Sequence, residues 1–121
     1  MAIIKKYLLL SFSWLVIYFY PTGPFLLLIG FFIAADTITG VIAAGLDNFR
    51  SRRFVDCVKK YAVYGIGVLV AHVLQIQFFP DFPALKIVSG LIAYSELMSI
   101  DENIQKITGF SLFKFFIKKL K

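Results

Sequence analysis

Cysteine and histidine are nearly missing from this chain, with one of each among 121 residues. Cys57 has no partner for an intrachain disulfide, and no CxxC or Cys/His cluster surrounds it, so a disulfide scaffold and a zinc site are both excluded. Charge is scarce as well. Charged residues make up 17% of the chain against 60% hydrophobic and 17% aromatic, and a water-soluble domain this small has too little interior to hide so much apolar side chain. Lipid is the solvent that such a composition fits. There is no nucleophile elbow, no Gly-rich phosphate loop and no metal-spaced His/Asp set, so the reading is a non-enzyme without cofactor or metal.

What is present is a set of long apolar stretches separated by two proline-containing breaks, Pro21-Thr22-Gly23-Pro24 and Pro80-Asp81-Phe82-Pro83. Both breaks are short enough to be turns between membrane helices. The expected fold is therefore an all-α membrane protein, one membrane domain over residues 1–121. About four transmembrane helices are expected, as two hairpins, over residues 2–20, 25–46, 61–79 and 84–100. Residues 101–121 form a basic tail. Lys5 and Lys6 ahead of the first apolar run resemble the start of a secretory signal, but no small-x-small cleavage site follows, so a retained span is expected. Only about 14 residues of that span follow the lysines, roughly 21 Å of helix, which requires the lysines to snorkel.

Basic residues outnumber acidic ones by 13 to 7. Arg50, Arg52, Arg53, Lys59 and Lys60 lie in the connector between the expected hairpins. Lys106, Lys114, Lys118, Lys119 and Lys121 follow the fourth span, and both proline-rich turns lack basic residues. Only Lys86, near the outer end of the fourth span, breaks the pattern. Lys and Arg flanking short loops stay in the cytoplasm, so both termini and the connector are expected there. Basic residues at membrane-proximal positions point to anionic lipid headgroups rather than nucleic acid. In the tail, Leu112, Phe115, Phe116 and Lys119 stand at helical spacing, which fits an amphipathic interface helix; a frayed basic end that only fixes topology fits as well.

Several polar groups stand where lipid is expected, and an ionised carboxylate near the bilayer centre costs about 2.5 to 3.5 kcal/mol on insertion scales. Asp36, His72 and Glu96 each fall about 11 or 12 residues into a span and are expected to converge. Small residues share their faces: Asp36, Thr39, Gly40 and Ala43 follow helical spacing, as do Ser89, Gly90, Ala93 and Glu96, while Gly67, Ala71 and Gln75 lie beside His72. Small residues let helix backbones approach closely in lipid, so these stripes are read as polar seams facing protein. Two readings of the seams stand side by side. In one, Asp36, His72, Gln75 and Glu96 bond one another within one copy, with their carboxylates held neutral. In the other, some of Asp36, Thr39, Gly40, His72, Gln75, Glu96 and Ser99 face other copies, so that polar faces meet across an oligomer and line water when it rearranges.

Two segments resemble a known family, the phage holins of the toxin-secretion/phage-lysis (TcdE-like) group. The first is Asp36-Thr37-Ile38-Thr39-Gly40-Val41-Ile42-Ala43-Ala44, followed by a basic connector with Ser51 and Lys60. The second is Glu96-Leu97-Met98-Ser99-Ile100-Asp101-Glu102-Asn103 with Gly109 after it, similar to that family's E-x-x-S-I-x-E-N run and trailing glycine. The chain departs from the pattern in lacking a glycine between Asp47 and Lys60 and in carrying Phe113 where a proline often stands. The resemblance implies oligomerisation in the host inner membrane and a timed lesion through which endolysin, the functional partner, reaches the cell wall. It also implies roles for Asp36, Thr39, Gly40, Glu96, Ser99, Glu102 and Asn103. Glu102 and Asn103 are read as membrane-interface residues beside the basic ones. No Met occurs between Met1 and Met98, so a holin and antiholin pair made from two ATG starts is not expected. The alternatives from the residues themselves are a small ion channel or transporter, and a structural membrane partner of a larger assembly.

Overall fold

The computed structural model describes residues 1–45 and 51–120, apart from the side chains of residues 51 and 52, so Arg50, Lys121 and the Arg52 side chain lie outside the described residues. The described chain is helical, with no strand: α1 (Ala2–Phe19), a 3₁₀ turn (Tyr20–Thr22), α2 (Gly23–Ala44), α3 (Ser51–Gln77), α4 (Ala84–Thr108) and α5 (Leu112–Leu120). This is the all-helical class expected from composition.

The first proline break does not reverse the chain, so the first expected hairpin is absent. Phe19, Tyr20, Thr22 and Gly23 all keep negative φ with ψ between 3° and −54°, close to the right-handed helix. The Tyr20 and Gly23 amides donate to the Ile17 and Tyr20 carbonyls, three residues back instead of four, which tightens the helix locally. Proline sits without strain in a first helical turn because its φ is already helical and its missing N–H is not needed there. The second break differs in that Pro83, at φ −79° and ψ 61°, leaves the helical region. Ala2–Ala44 is thus one apolar helical stretch of 43 residues.

The second break does reverse the chain. Phe78 and Phe79 amides both donate to the Leu74 carbonyl, and the Gln75 side-chain oxygen accepts the Leu85 amide at 3.0 Å, fastening the end of α3 to the start of α4. Gln75, expected in a seam with Asp36 and Glu96, serves here as a helix-start cap.

α2, α3 and α4 form a three-helix bundle. Ile29 and Ile33 of α2, Val68 of α3 and Leu85 of α4 make its buried core, with Phe25, Leu26, Cys57, Tyr64 and Ile92 packed around them. The early residues of α2 thus meet the start of α4, and Asp36 meets Ser99 and Asn103 further on, so α2 and α4 run parallel and α3 antiparallel to both. Gly30 lets α3 come close: a Cβ there would stand 3.0 Å from the Tyr61 ring, whose hydroxyl donates to the Leu26 carbonyl at 3.2 Å.

α1 continues along the α2 axis past the end of α3 and has no buried residue. Leu8 is 65% exposed and Trp14 63%, a surface that only lipid or another protein would cover. Two stretches are long and apolar enough to cross a membrane, Ala2–Ala44 and the 25-residue Arg53–Gln77. α4 is not one of them. It carries Lys86, Glu96, Asp101, Glu102 and Lys106, and two of these, Glu96 and Asp101, are buried inside the protein.

Candidate functional site: an ion-paired seam between three helices

α2, α3 and α4 each turn one polar face toward a common line. On α2, Asp36, Thr39 and Gly40 share a face because they stand three and four residues apart; on α4, Glu96, Ser99 and Asn103 do so for the same reason. α3 contributes Lys60. Its ammonium lies 3.1 Å from Asp36 Oδ2 and 3.0 Å from Glu96 Oε1, tying the three helices through one cation. The Glu96 side chain is 1% exposed, Asp36 13% and Lys60 36%.

The remaining acceptors of Asp36 are filled from α4. Ser99 Oγ donates to Asp36 Oδ1 at 2.7 Å, and Asn103 Nδ2 donates to the same oxygen at 2.9 Å and to the Asp36 carbonyl at 3.1 Å. Asn103 Nδ2 also reaches Thr39 Oγ1 at 3.0 Å. Such saturation is what makes a buried ion pair tolerable: breaking it by removing one partner costs about 3–5 kcal/mol, since the other charge is left uncompensated. A Cβ on Gly40 would meet an Arg53 guanidinium nitrogen and Asn103 Nδ2, each at 3.5 Å, so methyl is the largest addition that the seam accepts without moving. Beside the seam opens a groove of about 290 Å³ whose walls include Asp36, Gly40, Arg53, Asp56, Lys60 and Asn103.

Of the expected convergence of Asp36, His72 and Glu96, two members meet and one does not. His72 lies on α3 twelve residues past Lys60, roughly 18 Å along the helix. It is 2% exposed, and its Nε2 stands 2.8 Å from the Tyr18 carbonyl; a carbonyl only accepts, so Nε2 carries the proton. The rings of Tyr18 and Phe19 lie 5.3 and 5.7 Å from the imidazole, and Gln77 Nε2 donates to the Tyr18 hydroxyl. His72 therefore clasps the joint between α1 and α2. The picture of neutral carboxylates bonding one another is replaced by two carboxylates sharing Lys60.

Two residues expected at the membrane interface, Lys60 and Asn103, belong to the seam instead. Lys59, one position earlier, is exposed, because one helical step rotates the side chain by about 100°. Arg53 is half-buried beside Gly40, and Glu102, Lys114, Lys118 and Lys119 are exposed. Reasoning from sequence missed Asp101. It is 7% exposed, and its carboxylate accepts the Ser111 hydroxyl at 2.9 Å and the Leu112 amide at 2.6 Å, so it holds the start of α5. The available signal was an acid ten residues before a serine at a helix start, with Gly109 between them. That glycine, at φ 73°, ends α4 in the left-handed conformation that favours glycine.

A family model described as the bacteriophage holin family matches residues 4–121. Neither any curated protein nor any solved structure matches the chain. With that match running over nearly the whole sequence, through the Asp36 segment, the Glu96 segment and the α5 tail alike, the chain belongs to the bacteriophage holin family.

Proposed function

We propose that this protein oligomerises in the host inner membrane and forms lesions that release endolysin, leading to lysis of the cell. The observation that carries the reading is the holin match over residues 4–121. Holins permeabilise membranes and are not enzymes. The fold supports the reading in two ways: α1 offers an apolar surface with no buried residue, and the carboxylates of Asp36 on α2 and Glu96 on α4 are paired with Lys60. A protomer of this kind has its seam carboxylates paired and apolar length uncovered, which suits lateral packing in lipid against copies of itself.

Residues 2–20, 25–46, 61–79 and 84–100 are the proposed crossings. The termini and the basic connector face the cytoplasm, where Lys and Arg are retained and meet anionic headgroups. Asp36, Thr39, Gly40, Glu96 and Ser99 act in assembly by setting how closely α2 and α4 pack; His72 and Gln75 contribute through the joint and the turn that they fasten. Arg50, Arg52, Arg53, Lys59, Lys114, Lys118, Lys119 and Lys121 serve the interface, and Glu102 lies among them.

Expression in bacteria together with a cytoplasmic endolysin tests this. Abrupt lysis after a delay is the expected result, with the delay shortening as expression rises. Continued growth while the protein accumulates in the membrane refutes it. Loss of small ions without lysis would assign the protein to the channel class instead.

A further inference from the structure

Neither the core nor the ion-paired seam accounts for α5. Its nine residues, Leu-Phe-Lys-Phe-Phe-Ile-Lys-Lys-Leu, turn by about 100° each and form an apolar and a basic sector, with Phe115 lying among the lysines under the Lys119 ammonium. Phe113, Phe116, Ile117 and Leu120 fall in one sector, and Lys114, Lys118 and Lys119 are centred on the opposite one. Only the start of α5 is held by the bundle: Phe113 meets the Tyr94 ring at 6.2 Å, and Asp101 takes the Ser111 hydroxyl and the Leu112 amide. Beyond that clasp the apolar face is bare, with Phe116 59% exposed, Ile117 55% and Leu120 87%. No acidic residue occurs on α5.

The partner follows from charge and position. With residues 84–100 as the proposed fourth crossing, the last eight residues of α4 continue beyond it to headgroup level. Lys106 sits in the last turn, and Gly109 redirects the chain into α5 at the same level. A bare apolar face flanked by cations at headgroup level matches a surface of anionic phosphates over acyl chains.

We infer that α5 docks in the plane of an anionic phospholipid leaflet, with Phe116, Ile117 and Leu120 in the acyl boundary and Lys114, Lys118 and Lys119 on the phosphates. Asp101 is the positioning residue. Its carboxylate fixes the first turn of α5 to α4 two residues from Ser99 and Asn103, so the leaflet bears directly on the helix that carries half of the seam. The inference rests on the membrane setting of the proposed function, not on lesion formation.

The test uses full-length protein in nanodiscs of phosphatidylcholine with and without phosphatidylglycerol, reading amide hydrogen exchange over 112–120. Protection of α5 is expected to rise on the order of tenfold or more with phosphatidylglycerol, to fall again in high salt, and to be lost in the K114Q/K118Q/K119Q variant while α2 and α3 amides stay unchanged. The D101A variant should keep the lipid-dependent gain over residues 115–120 and lose protection at Leu112. Protection that is equal in both lipids overturns the inference, and so does protection that disappears when discs hold a single copy, which would make a second protomer the cover. Neither readout involves endolysin or lysis, so failure here and failure of the lysis assay are distinguishable.

Discussion

Lys60 decides the state of the seam because it is the cation shared by Asp36 and Glu96. Replacing it by methionine leaves Glu96, with a side chain 1% exposed, without a counter-charge. Lys60→Met should therefore destabilise the fold by about 3–5 kcal/mol, read as an earlier midpoint of helix loss in a denaturing-detergent titration. Adding Glu96→Met should restore part of the loss, because the more deeply buried carboxylate is then gone while Asp36 keeps its bonds from Ser99 and Asn103. A midpoint for Lys60→Met within the ~0.5 kcal/mol of ordinary surface substitutions would show that the pairs contribute nothing. The seam was half legible in the sequence. Asp36, Thr39, Gly40, Glu96 and Ser99 stood out as polar or small residues at helical spacing in apolar surroundings. Lys60 did not, because beside Lys59 and after three arginines it looked like one more connector cation. Its rotation toward Asp36 is fixed only by the phase of α3, which starts well before the first long apolar run. Asn103 is hidden for a related reason: α4 runs on to Thr108, past the end of the apolar run at Ile100.

At the level of elements, the two proline breaks carry similar composition and opposite outcomes. Pro80 to Pro83 turns back, with Gln75 capping α4, whereas Pro21 to Pro24 stays within the helical region and passes α1 into α2. Composition could not separate them, since proline is as compatible with the first turn of a new helix as with a reversal. The 43-residue stretch would be roughly 65 Å long if straight, about twice a hydrocarbon core, while α1 with 18 residues and α2 with 22 each suit one crossing. Lipid should therefore bend the chain at the 3₁₀ turn, where two prolines have removed helical hydrogen bonds and His72 holds the Tyr18 carbonyl. Spin labels at Leu8 and Ile38 report this: a straight stretch separates them by about 45 Å. A bilayer-imposed bend should shorten that distance well below 45 Å, and a His72→Phe variant, lacking the clasp, should broaden its distribution. An unchanged distance near 45 Å in a bilayer would contradict the hinge.

Across the whole molecule, polar satisfaction and apolar exposure are divided among different helices. The bundle of α2, α3 and α4 pairs its two seam carboxylates, Asp36 and Glu96, with Lys60, α1 has no buried residue, and α5 carries three lysines and a bare apolar sector. In the membrane-located family to which the chain belongs, that division covers the two seam carboxylates within one protomer and leaves extended apolar surface for lipid or for copies on the proposed reading. Under the proposed function, accumulation would set the moment of assembly, since association depends steeply on concentration. The most direct measurement of this claim is release from liposomes loaded with both a small dye and a folded endolysin, as the ratio of reconstituted protein to lipid is raised. The account predicts retention of both cargoes at low ratio and their joint, abrupt release above a threshold; dye escaping in proportion to protein at every ratio, with endolysin retained, would contradict it.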